Sequence, residues 1–60
     1  MTYEKIQLIQ GDLSEVFSLV DQAGGSVAAL EPAEAIEQLE LAGVKIENVI
    51  KELSGELQCH

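Results

Sequence analysis

The sequence predicts an all-α protein, a helical hairpin or three-helix unit that dimerises into a helical bundle. Three observations lead to it. Between Ala35 and Leu57 the apolar residues Ile36, Leu39, Ile46, Ile50, Leu53 and Leu57 recur at helical three- and four-residue spacings, interrupted only at Gly43, and so form one stripe on a helical surface. Leu13, Val16, Phe17 and Val20 make a second set with the same rhythm. A short segment containing Gly24 and Gly25 joins the two sets, which suits an antiparallel helix pair.

The elements follow in order. Residues 1–10 are ambiguous: Ile6 and Leu8 alternate around Gln7 as in a strand, whereas Ile6, Ile9 and Leu13 keep a helical spacing. Asp12 and Glu15 have the spacing of a capping box, so a helix is expected from Asp12 to about Ala23, with Leu13, Val16, Phe17 and Val20 buried and Leu19 at the margin. Gly24 is its expected left-handed stop, and Gly24, Gly25 and Ser26 its hinge. Residues 27–30 are either a short strand or a helical turn. The alternative fold is therefore a small α+β unit with short strands at 3–9 and 27–30. Glu31 and Pro32 open the next helix, since proline lacks only a donor that the first turn leaves unused and the acids complement the positive end of the helix dipole. That helix reaches at least Ala42. Gly43 then either bends one continuous helix or separates two, and no capping residue follows it. The hairpin places 12–23 against 32–54, and residues 55–60 fray.

At 60 residues the chain is a single small domain, 1–60, of a size that leaves stability marginal. It carries about nineteen Leu, Ile, Val and Phe residues, more than a lone helical layer buries, and its single cysteine, Cys59, forms no internal disulfide. Association, with a second copy or another protein, is the remaining source of stability. Eleven acidic residues against three basic ones give a formal charge of −8, which disfavours nucleic acid and anionic membranes as partners. The longest apolar run, Val27 to Leu30, is too short to span a bilayer, and the first residues lack the pattern of a secretory signal, so a cytoplasmic protein is expected.

Two surfaces are candidates for function. Ile36, Leu39, Ile46, Val49, Ile50 and Leu53 form an assembly seam, or the hairpin's own core. Glu31, Glu34, Glu37 and Glu40 recur every three residues and form an acidic ridge for a basic protein surface or for nucleic-acid mimicry, or else a solvated helix face. Gly43, Val44 and Val49 resemble the helix-turn-helix pattern, which implies a DNA-binding regulator gathering Lys45, Asn48 and Lys51 on one surface. The resemblance departs at Leu39, where a small residue is usual, and at Glu47 and Glu52 on the reading helix. Cys59 and His60 are too few for a closed metal site, the acids lack the pattern of a calcium loop, and no nucleophile has a nearby base. The sequence thus predicts no enzyme, no catalytic residue, no cofactor and no metal, and a protein–protein interaction module acting as a regulator or inhibitor through its helix faces.

Overall fold

The computed structural model describes residues 1–58, and these form two antiparallel helices, α1 (Tyr3–Ala28) and α2 (Pro32–Gln58). The two pack side by side as a helical hairpin in a slab of 47 × 17 × 9 Å. Its Cα radius of gyration, 14.1 Å, exceeds the about 10 Å of a compact domain of this length.

There is no strand among the described residues, so the α+β alternative with strands at 3–9 and 27–30 is not what the chain forms. Residues 3–10 are helical because Lys5 and Ile9 enter the interface with α2, an advantage that strand-like alternation at Ile6 and Leu8 does not offer. The N-cap is Thr2, in extended conformation, whose Oγ1 accepts the Lys5 N–H at 3.2 Å. Asp12 and Glu15 therefore lie inside α1 and cap nothing.

Gly24 and Gly25 also remain helical. Ala23 is buried against α2, and the Ser26 hydroxyl donates to Gln38 Oε1 at 2.9 Å, so the last turns of α1 hold cross-helix contacts that a stop at Gly24 would forfeit. The helix ends instead in a Schellman arrangement: Glu31 N–H donates to Ser26 O at 2.8 Å and Leu30 N–H to Val27 O at 3.0 Å, with Leu30 in the left-handed region at φ 63°. Pro32, which cannot continue a helix, fixes that end and begins α2 as expected. α2 then runs unbroken through Gly43, Ser54 and Gly55 to Gln58, so residues 55–58 are helical and no third helix forms among the described residues. Cys59 and His60, expected as a frayed tail, lie outside the described residues.

The core is small. Among the described residues only Ile9, Ala23, Ala35, Ala42 and Val49 are buried. Val16, Leu19, Ser26, Gln38 and the aliphatic stems of Lys5 and Lys45 are half-buried around them. The expected buried face of the first helix is corrected accordingly: Leu13, Phe17 and Val20 are exposed, whereas Val16 and Leu19 face α2.

Leu30 holds a left-handed conformation that favours glycine while its side chain is 87% exposed, so Leu30→Gly removes strain and no packing. This substitution is expected to stabilise the fold by about 1 kcal/mol. Gly11 lies mid-helix, and a Cβ there would meet nothing within 4 Å, so Gly11→Ala is expected to gain about 0.5–1 kcal/mol. Urea denaturation of the two variants checks both; unchanged or lower midpoints would contradict the turn and helix assignments.

Candidate functional site

The interface between the helices has a fixed period. On α1 the side chains turned to α2 are Lys5, Ile9, Asp12, Val16, Leu19, Ala23 and Ser26; on α2 they are Ala35, Gln38, Ala42, Lys45, Val49 and Glu56, with Glu52 reached by Lys5. The steps alternate between three and four, the 3.5-residue repeat of coiled-coil packing. Alanine at three of these positions makes the seam narrow, and its two lysines pair across it. Lys5 Nζ lies 3.2 Å from Glu56 and 3.4 Å from Glu52, and Lys45 Nζ lies 2.6 Å from Glu15. Glu56 also accepts the Met1 amine at 2.8 Å.

These pairs shift the groups that form them. Hydrogen bonds to Glu56 and then Glu52 raise the Lys5 pKa above 10.5, and one to Glu15 raises that of Lys45. Glu56 is held below the usual carboxylate range, first by the Met1 amine and then by Lys5.

One residue beyond each inward position lies a second row. On α1 it comprises Ile6, Gln10, Leu13, Phe17, Val20, Gly24 and Val27, and on α2 Ile36, Leu39, Gly43, Ile46, Ile50, Leu53 and Leu57. A step of one residue turns about 100° around a helix, and because α1 and α2 are antiparallel the same step carries both rows to the same side of the hairpin. The result is one continuous face. None of its fourteen positions is charged, in a chain with a formal charge of −8. Its large members are open to solvent: Phe17 is 77% exposed, Ile36 57%, Ile50 56% and Leu13 47%. The register set by Lys5–Glu56 and Glu15–Lys45 puts Phe17 level with Gly43 and Ile36 level with Gly24.

Of the assembly seam expected from sequence, Ile36, Leu39, Ile46, Ile50 and Leu53 lie on this face, and Val49 belongs to the hairpin core at 5% exposure. Sequence reasoning misses the α1 half of the face because it places Leu13, Phe17 and Val20 in the core; their spacing is the available signal. Glu34, Glu37 and Glu40 are exposed along the outer side of α2, and Glu31 precedes the helix beside them. The neighbouring Glu31, through a hydrogen bond and then through its charge, raises the Glu34 pKa from its ordinary value. Glu37 and Glu40 border a shallow depression floored by Leu41 and Val44, which joins the acids to an apolar spot.

Lys45, Asn48 and Lys51 do not converge on an open basic surface. Lys45 is drawn to Glu15, while Asn48 and Lys51 line a groove with Asp12 and Glu52. Among the described residues no group of three or more His, Cys, Asp or Glu side chains is placed to hold a metal ion, and no helix is long and apolar enough to cross a membrane. No protein-family model, no curated protein and no solved structure matches the chain.

A lowered carboxylate pKa stabilises the fold above its unfolded value and ceases to do so as pH falls through the folded value. Glu56→Gln is accordingly expected to lower the thermal midpoint at neutral pH, with the gap to wild type closing on acidification. The raised pKa values of Lys5 and Lys45 act oppositely: their contribution is complete below 10.5 and is lost as pH rises through the folded values. Circular-dichroism melts across pH check both, and a Glu56→Gln gap that persists in acid would contradict the ion-pair assignment.

Proposed function

We propose that this chain is a small non-enzymatic protein–protein interaction module, a regulator or inhibitor that acts through its exposed helix faces. The observation that carries this reading is the continuous uncharged face spanning both helices. Soluble monomers rarely expose a contiguous apolar patch of more than a few hundred Å², and larger ones serve as binding surfaces. The face supplies the affinity for another protein chain. The ridge of Glu31, Glu34, Glu37 and Glu40, on the outer side of α2, supplies charge selection in favour of basic surfaces.

The alternative of a DNA-binding regulator has less support. It requires a corner at Gly43, where α2 is continuous, and a surface combining Lys45, Asn48 and Lys51, two of which sit among acids in a groove. Mimicry of nucleic acid by the acidic ridge is a special case of the interaction reading, in which the partner is itself a nucleic-acid-binding protein.

The test is capture by immobilised chain, either of free purified chain or of protein from a nuclease-treated lysate of the source cells. Wild type is expected to retain protein, the double variant Leu13→Asp/Ile46→Asp to retain at least tenfold less, and Leu8→Asp, off the face, to behave as wild type. Equal retention by the face variant, or recovery of nucleic acid whose removal abolishes capture, would contradict the reading.

A further inference from the structure

We propose that the occupant of the uncharged face is a second copy of this chain, docked face to face so that two hairpins complete a four-helix bundle. This rests on the reading of that face as the interaction surface and names what covers it.

Area is the first reason. The chain exposes 4628 Å², whereas a folded monomer of 6.5 kDa exposes about 3,800 Å². The excess of about 800 Å² matches what each partner contributes to a standard protein–protein interface.

Periodicity is the second. The face repeats every 3.5 residues on both helices and runs the length of the hairpin, from the level of Ile6 and Leu53 to that of Gly24 and Ile36. In the near-aligned packing of four-helix bundles, side chains of one such layer enter the spaces of another with the same repeat. A single partner helix would fill the groove between α1 and α2 and leave the outer edges of the face wet. A second hairpin covers both helices at once, and a two-fold axis makes the same surface complementary to itself.

Charge predicts how this contact behaves. Asp21, Glu40 and Glu47 each follow a residue of the face and lie along its outer edges, whereas Glu37 and Lys51 lie farther round α2, Glu37 beside Leu41 and Lys51 in the groove with Asp12. Two copies therefore meet with mainly acidic rims and like net charge, so salt should strengthen their association. A basic partner held by the same acids would be released by salt.

Sedimentation equilibrium of the full chain, over a range of concentrations at low and high salt, tests the proposal. The expected result is twice the 6.5 kDa chain mass, with the dimer dissociation constant falling several-fold as salt rises. Ile46→Glu should shift the mass toward monomer, and Leu41→Glu, off the face, should leave it doubled. A wild-type mass of 6.5 kDa at every concentration overturns the proposal without reference to any variant. If that monomer still captures a different protein in a manner abolished by Leu13→Asp/Ile46→Asp, the interaction reading survives and only the self-copy falls; if it captures nothing, both fall.

Discussion

The structure depends on the close approach of α1 and α2 along a seam lined by Ala23, Ala35 and Ala42. Small side chains let the helices meet over most of their length, but a narrow seam shelters little apolar surface. The larger residues are consequently displaced one step around each helix, and antiparallel pairing brings the displaced rows to the same side. Full burial of a Leu, Ile or Phe side chain is worth about 1.5–3 kcal/mol. In the hairpin alone Phe17, Leu39 and Ile50 keep half or more of their surface in water. The same geometry that makes the hairpin thin makes its open face apolar.

Polar members of the seam act as its register. Lys5 with Glu52 and Glu56, Lys45 with Glu15, and Ser26 with Gln38 cross between the helices at both ends and near the middle. Exposed pairs of this kind add little stability. Their role is to select one rotation of each helix, since a rotation that buried Phe17 and Ile50 within the hairpin would separate every one of them. The hairpin thereby leaves an uncharged surface available to a partner.

Much of this is legible in the sequence. The three- and four-residue rhythm of Ile36, Leu39, Ile46, Ile50 and Leu53 marks α2, Pro32 marks its start, and the same rhythm at Leu13, Val16, Phe17 and Val20 marks a helix to pair with it. The identity of the inward face is not legible, because apolar spacing weights large side chains and the face that closes the hairpin interleaves Ile9, Val16, Leu19 and Val49 with alanine, lysine and glutamine. Val49 falls in with its larger neighbours for the same reason. Glycine misleads in the other direction: Gly24 reads as a stop and Gly43 as either a bend or a break, yet the cost of about 1 kcal/mol for a helical glycine is offset when the turns on either side are anchored, as by Ala23, Ser26 and Ala42. Leu30 takes the left-handed position at the turn, where no composition rule would place a leucine, because it follows the last turn of α1 in the Schellman arrangement that closes the helix ahead of Pro32.

If the hairpin is one half of a folded unit, its stability is coupled to covering the open face. The thermal midpoint of helicity reads that coupling, measured by circular dichroism over roughly a hundredfold range of chain concentration, because binding that requires the folded state raises its apparent stability by mass action. A midpoint that climbs steadily with concentration is the expected result. A midpoint independent of concentration would show that the two helices are stable without a partner copy, and would contradict the coupling.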